Sequence, residues 1–157
     1  MNIIVVGSSR KKREMAEDLA RFAAMKLMPR LRDRLCIDIN LIPRLSQKDN
    51  VAGDCIWEDS RTRPREFTIR VDSSQSLQIM LETVAHEIVH VKQFARSELQ
   101  DLSTDINICK WQGSIVKCNA VDYYDLPWEI EAHGREKGLF IRWYEQSRWK
   151  NCKWAEY

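Results

Sequence analysis

The sequence of 157 residues predicts one α+β domain, in which a short antiparallel sheet packs against two long helices. Alternating apolar residues predict strands in the first half of the chain. Apolar residues at steps of three and four predict a helix over 75–97, and a second long helix begins near Pro127 and extends to about residue 147. We expect a strand–helix–strand part over 1–50 and a core that carries the functional motif over 51–147.

Each element of the first half rests on its own pattern. The apolar run 3–6 predicts a strand, and a helix follows over 11–28, capped by Ser8 or Ser9 and ended by Pro29. Three further strands are predicted, over 35–42, 54–58 and 66–72. Residues 98–126 are mixed, with a hairpin around Gly113, and Asp125 is the predicted cap of the last helix.

Composition excludes several classes of protein. The net charge of +2 decides little, although strong polyanion binders are usually far more basic, and no apolar run is long enough to span a membrane. The five cysteines form no C-x-x-C pair, which argues against a zinc ribbon. Without an export signal we expect reduced thiols and a cytoplasmic protein. A disulfide between Cys109 and Cys118, across the predicted hairpin, is the alternative.

The strongest chemical signal is the H-E-x-x-H motif formed by His86, Glu87 and His90. Spacing of four places both imidazoles one helical turn apart on one face, where they can share a Zn²⁺ ion. Glu87 points elsewhere on the helix and is predicted to be the general base toward a zinc-activated water. The two histidines lie roughly opposite the apolar stripe, on the side where a cleft is expected.

A catalytic zinc usually has three protein ligands, so a third residue must come from another segment. The segment Pro-Trp-Glu-Ile-Glu-Ala-His over 127–133 offers Glu129 and His133 on one face of the second helix. Glu131 lies on a different face of the same helix.

These two motifs resemble those of the compact gluzincin metallopeptidases, and the second also resembles the small SprT-like and ImmA/IrrE-type proteins of bacteria and their phages. The resemblance covers roughly residues 50–145 and implies a minimal zincin-like domain that hydrolyses peptide bonds with Zn²⁺. It implies that Glu129 is the third ligand and His133 its supporting neighbour, although relatives more often carry Asp or Asn there. His133 and Glu131 stay open as alternative third ligands.

The expected partner is a protein or peptide substrate, bound as an added strand along 53–58. Tyr123, Tyr124, His133 and Arg135 are candidates for stabilising the oxyanion, since they lie near the third-ligand segment. The alternative function is a non-catalytic zinc-containing module that binds nucleic acid or a regulatory protein. Aromatic and basic residues near the C-terminus keep nucleic acid as a weak candidate: Trp143, Tyr144, Trp149, Trp154 and Tyr157 among Arg142, Arg148, Lys150 and Lys153.

Overall fold

A computed structural model describes residues 1–102 and 107–151 of the chain. Short 3₁₀ helices occupy Arg32–Arg34, Cys118–Ala120 and Tyr123–Asp125. The main elements of this part are β1 (Asn2–Val6), α1 (Arg10–Leu27), β2 (Cys36–Ile42), α2 (Leu45–Asp49), β3 (Gly53–Trp57), β4 (Glu66–Asp72), α3 (Leu77–Ala95), β5 (Leu99–Asp101), β6 (Ile108–Trp111), β7 (Ser114–Lys117) and α4 (Pro127–Gln146).

The first four strands form one mixed sheet in the order β1-β2-β4-β3. The strands β1, β2 and β4 run parallel, and only β3 runs antiparallel, against β4. The α+β class is confirmed, but the prediction of an antiparallel sheet is wrong. The reason is α1, which carries the chain back across the sheet so that β2 starts at the same end as β1. Both predicted parts of the chain, 1–50 and 51–147, contribute strands to this sheet.

One face of the mixed sheet forms the main core with α1, α3 and α4. The sequence stripe on α3 is buried as predicted, and its members Leu77, Leu81, Val84, Ile88, Val91 and Ala95 are at most 2% exposed. Each such leucine or valine contributes about 1.5–3 kcal/mol by its removal from water. From Val84 to Gln93 every residue of α3 is buried, because α4 and β3 pack against its other faces. A helix enclosed in this way holds its side chains in fixed directions.

The mixed segment before α4 forms a second, antiparallel sheet in the order β5-β6-β7. Gln112 and Gly113 both have positive φ, +46° and +93°, as a two-residue hairpin turn requires, so the predicted hairpin is confirmed. Cys109 and Cys118 face each other as free thiols, with 3.2 Å between the sulfur atoms. The predicted cap Asp125 is wrong: α4 begins at Pro127 with Leu126 as its cap.

Aromatic residues of α4 and of the segment that follows it complete the core. Trp143 is 2% exposed and donates a hydrogen bond from Nε1 to Asp18 Oδ2 at 3.1 Å, and Trp149 is also buried in the core. These two rings therefore present no open face on which a base could stack. Trp154 and Tyr157 lie outside the described residues. Among the helices within 1–102 and 107–151, none is both long and apolar enough to cross a membrane.

The loop that precedes β3 is anchored by Asp72, which ends β4 and is 2% exposed. Its carboxylate accepts hydrogen bonds from the backbone N–H groups of Arg44, Ser46 and Ser74 at 2.8–3.1 Å, and from the Ser46 hydroxyl. It thereby caps the start of α2, which has no capping side chain of its own. Burial opposes ionisation of Asp72, but the hydrogen bonds outweigh burial and lower its pKa to about 2.

We expect Asp72→Asn to lower the free energy of unfolding at pH 7 by about 1–3 kcal/mol, because buried N–H groups lose a charged acceptor. Since folding lowers the pKa of Asp72 below its ordinary 3.8, the carboxylate stabilises the fold fully above about pH 4 and less at lower pH. Urea unfolding should therefore give a smaller difference between variant and wild type at pH 3 than at pH 7.

The control is Asp38→Asn, which changes an exposed carboxylate on the neighbouring strand β2 and should cost less than about 0.5 kcal/mol. Equal unfolding free energies for the two variants at pH 7 would contradict the role of Asp72.

Candidate metal centre

His86 and His90 lie one turn apart on α3 and are 7% and 8% exposed. Their Nε2 atoms are 3.0 Å apart. This proximity follows from the helical spacing of four residues, which places both rings on one face of the helix. The burial was not expected from the sequence, which predicted an open cleft on this side. Packing of α4 over this face of α3 encloses the pair.

Glu129, in the first turn of α4, brings its carboxylate to the same point. Glu129 Oε2 is 3.3 Å from His86 Nε2, and Glu129 Oε1 is 3.4 Å from His90 Nε2. The structure thus brings together the three residues predicted as metal ligands, and all three are buried. Glu131 and Arg135 lie apart from them: Arg135 Nε is 2.8 Å from Glu131 Oε1, and Lys92 also pairs with Glu131.

A fully buried amide determines the tautomer of His90. Gln93 Nε2 donates to the backbone carbonyl of Trp128 at 2.9 Å, which leaves Gln93 Oε1 to face His90. His90 Nδ1 therefore donates to Gln93 Oε1 at 2.8 Å, and in the neutral ring Nε2 keeps its lone pair toward the shared point. Sequence reasoning missed Gln93, although its position three residues after His90 places it on the same helix face.

His86 is oriented by Glu136. His86 Nδ1 donates to Glu136 Oε2 at 2.8 Å, so the Nε2 atom of His86 also faces the shared point. Glu136 is absent from the sequence predictions, yet it lies seven residues after Glu129, on the same face of α4. The predicted supporter His133 instead lies beside it, with Nδ1 3.2 Å from Glu136 Oε2 and its ring 4.6 Å from that of His86.

Glu87 is 3% exposed, and its Oε2 atom has no hydrogen-bond partner among the described residues. The other oxygen, Oε1, lies against Gly53 of β3, where a Cβ atom would come within 2.9 Å of it and within 2.7 Å of Thr83 Cγ2. Glycine at this position therefore lets the edge strand approach α3 closely. A buried carboxylate oxygen without a partner is costly, and it is typical of an atom reserved for a ligand or a reaction.

The charges around the place where His86, His90 and Glu129 meet favour a bound cation. Burial lowers the pKa of His86, but contacts with Glu129 and Glu136 outweigh burial and raise it to about 9. The pKa of His90 is raised by Glu129 against the same effect of burial. Burial raises the pKa of Glu129, but hydrogen bonds from the two histidines outweigh it and keep the carboxylate ionised. Burial raises the pKa of Glu87 to about 7.

The predicted oxyanion candidates occupy different places. Tyr123 donates a hydrogen bond from its hydroxyl to Glu129 Oε2 at 2.7 Å. The Tyr123 hydroxyl is therefore already bound to the third predicted ligand. Tyr124 is 70% exposed, and together with Tyr123 and His133 it lines the cleft. Arg135 does not line the cleft in the part of the chain that the structure describes, because it pairs with Glu131.

The cleft has two lobes that meet at Gly53, His86, Glu87 and Tyr123. The wide lobe, about 540 Å³, is lined by Ile79, Glu82, Thr83, Tyr124, His133 and Glu136. The narrow lobe, about 300 Å³, is lined by Asp54, Cys55, Phe94, Leu99 and Trp128. Both lobes border β3, which is the edge strand of the mixed sheet, as predicted for the segment 53–58.

The donor set fits a zinc ion in its separations and in its chemistry. For Zn–N and Zn–O bonds of about 2.0–2.1 Å, tetrahedral ligand atoms lie about 3.3 Å apart. Here the two Nε2 atoms are 3.0 Å apart, and each lies 3.3–3.4 Å from the nearer of the two oxygens of Glu129. Two imidazoles and one carboxylate form the ligand set of many catalytic zinc sites, which keep the fourth position open.

Comparisons of the chain with protein-family models, with well-characterised proteins and with solved structures find no match. The role of the site must therefore be inferred from its own geometry and chemistry. The resemblance of its two motifs to those of compact gluzincins stays a prediction.

Proposed function

We propose that this protein is a zinc-dependent peptidase, with His86, His90 and Glu129 as metal ligands and Glu87 as general base. One observation carries the proposal: the three ligand atoms converge beside a buried carboxylate whose Oε2 has no partner in the described chain. Zinc binding alone would not require Glu87. Hydrolysis requires a base in addition to the metal ligands. A carboxylate in the same cleft that does not coordinate the metal can serve as that base.

Zinc bound by these residues would supply a Lewis acid that acidifies water and polarises a carbonyl group. Glu87 accepts the proton of the attacking water, whose oxygen forms a bond to the carbonyl carbon. Glu87 then passes this proton to the amide nitrogen as the C–N bond breaks, and a carboxylic acid and an amine leave. Tyr124 and His133, which line the cleft, are the candidate donors to the oxyanion, whereas Tyr123 holds Glu129.

The edge strand β3 supports a peptide as the substrate. Its partner β4 occupies one side only, so the opposite backbone edge is available for an added strand. Gly53 of this strand approaches Glu87 closely, which would bring the backbone of a peptide paired with β3 near the general base. We therefore propose that an extended peptide binds along β3, over the point where the two lobes meet.

The first test uses Glu87→Gln, which keeps the size of the side chain and removes its basicity. We expect stoichiometric zinc in both wild type and variant by elemental mass spectrometry. Cleavage of a proteome-derived peptide library, followed by mass spectrometry, should fall by at least 100-fold in the variant.

Glu145→Gln, at an exposed position of α4, is the matched control and should retain both zinc and cleavage. Cleavage that survives in Glu87→Gln would contradict the mechanism. Zinc without cleavage in the wild type would favour the non-catalytic zinc module, and no stoichiometric zinc would contradict the metal site itself.

The second test concerns the orientation of His86. Because Glu136 accepts the Nδ1 proton of His86, Glu136→Ala should weaken zinc binding by about 10–100-fold in a chelator competition. His133→Ala removes the neighbouring residue and leaves that hydrogen bond intact, so we expect a smaller effect.

Glu136→Asp should recover less of the affinity than Glu136→Gln, because the shorter side chain withdraws the acceptor from the ring. Urea unfolding of the zinc-free variants separates this effect from a general loss of stability. Unchanged zinc affinity in Glu136→Ala would exclude Glu136 as the group that positions His86.

A further inference from the structure

The lining of the cleft is acidic, in contrast to the chain as a whole. The chain has 25 lysines and arginines and 23 acidic residues. Within residues 1–102 and 107–151, no lysine or arginine lines either lobe. Five carboxylates do so: Asp54, Glu82, Glu87, Glu129 and Glu136. Outside the proposed metal site and the pair of Asp54 with Arg70, the remaining negative charge would repel a polyanion and attract a cationic side chain.

Four of the five carboxylates already have a partner or a proposed role. Asp54 pairs with Arg70, whose Nε is 3.0 Å from Asp54 Oδ1. Glu136 accepts from His86, and Glu129 and Glu87 belong to the proposed catalytic machinery. Glu87 lines both lobes, is 3% exposed, and has an Oε2 atom without a partner in the described chain, which is typical of a group that meets a ligand.

The fifth carboxylate, Glu82, has no cationic partner among the described residues. Its only hydrogen bond there is with a neutral amide, the Nε2 group of Gln78, which donates to Glu82 Oε1 at 2.9 Å. Glu82 lies four residues before His86 on α3, and therefore on the same helix face, about 6 Å along the axis. Ile79 and Thr83 flank it in the wide lobe and provide apolar wall for the stem of a long side chain.

The narrow lobe has a different character. Its polar side is formed by the three proposed ligands, Glu87 and Tyr123, and its other side is lined by Phe94, Leu99, Trp128 and Cys55, with the charge of Asp54 compensated by Arg70. A cavity of about 300 Å³ with such walls favours an apolar side chain, because its burial releases water from apolar surface on both partners.

We infer that the cleft selects peptides with a lysine or arginine in the wide lobe, held by Glu82, and an apolar side chain in the narrow lobe. The inference rests on the proposed function, because that function identifies the bound molecule as a peptide. Glu82 is a specificity residue in this assignment. It lies outside the ligand set and the general base, so its substitution should change the choice of substrate and leave zinc binding unchanged.

The test measures binding to the zinc-loaded Glu87→Gln protein, so it does not depend on cleavage. The probes are fluorescein-labelled octapeptides that contain Leu-Lys or Lys-Leu, and matching peptides with glutamine in place of lysine. We expect the better lysine peptide to bind at least fivefold more tightly than its glutamine match in fluorescence anisotropy. Adding 0.5 M NaCl should reduce this ratio, because salt screens the contact.

Adding Glu82→Gln to the same protein should remove most of the preference, and Glu82→Lys should favour peptides with glutamate in place of lysine. Glu145→Gln is the matched control and should leave the ratio unchanged. No lysine preference, or a preference that survives Glu82→Gln, would overturn the inference. A 12-residue oligo-dT should bind more weakly than the lysine peptide, and tighter binding of the oligonucleotide would also overturn it.

Cleavage of the same peptides by the zinc-loaded wild type separates this inference from the proposed function. Cleavage without a preference for lysine would contradict the role of Glu82 and support the peptidase. Selective binding without any cleavage would support the acidic peptide cleft and contradict the peptidase.

Discussion

The site depends on the contact between α3 and α4, because its polar pairs cross that contact. His86 and His90 reach Glu129 across it, and His86 also reaches Glu136. Gln93 crosses in the same direction, from α3 to the backbone carbonyl of Trp128 at the start of α4. A shift of one helix against the other would break these pairs together. The packing of two long helices thus sets the separations of three candidate ligands to within a few tenths of an ångström.

The cost of burying polar groups without partners explains why most polar atoms between α3 and α4 are paired. Burial of a polar group without a partner costs about 1–3 kcal/mol, so a stable interface pairs nearly all of its polar atoms. Here Lys92, 6% exposed, pairs with Glu131 and Glu98, and both histidine Nδ1 atoms have acceptors. Around the three predicted ligands, the two Nε2 atoms meet only each other and the carboxylate of Glu129, and the Oε2 atom of Glu87 has no partner in the described part of the chain.

Much of the local structure could be predicted from the sequence, because periodicity reports which face of an element is buried. The four strands of the first half and the two long helices all lie where their patterns place them. The direction of the strands could not be predicted from periodicity. Alternation on β2 looks the same for parallel and antiparallel neighbours, and only the path of α1 across the sheet decides between them.

The same distinction applies to the candidate site: local spacing predicts one part of it, and long-range packing decides the other. Helical spacing brings His86 and His90 together without any knowledge of the fold. The approach of Glu129, and the separation of Glu131 from it, depend on which face of α4 meets α3. That face is decided by long-range packing of residues such as Ala132 and Trp143. Glu136 was within reach of sequence reasoning, since steps of four and three from Glu129 through His133 to Glu136 follow one face of the helix.

The positions of His133 and Glu136 explain why Glu136, and not His133, accepts the hydrogen bond of His86. The resemblance implies a small polar side chain, Asp or Asn, four residues after the third ligand as the support of a zinc-binding histidine. His133 has a longer and bulkier side chain, and its ring lies 4.6 Å from the ring of His86. The acceptor then comes from one turn further along α4, where the long side chain of Glu136 spans the added distance to His86 Nδ1. His133 lies in the wall of the wide lobe, where its side chain is 41% exposed. Glu136 therefore fixes the orientation of His86, and His133 adds a ring to the wide lobe.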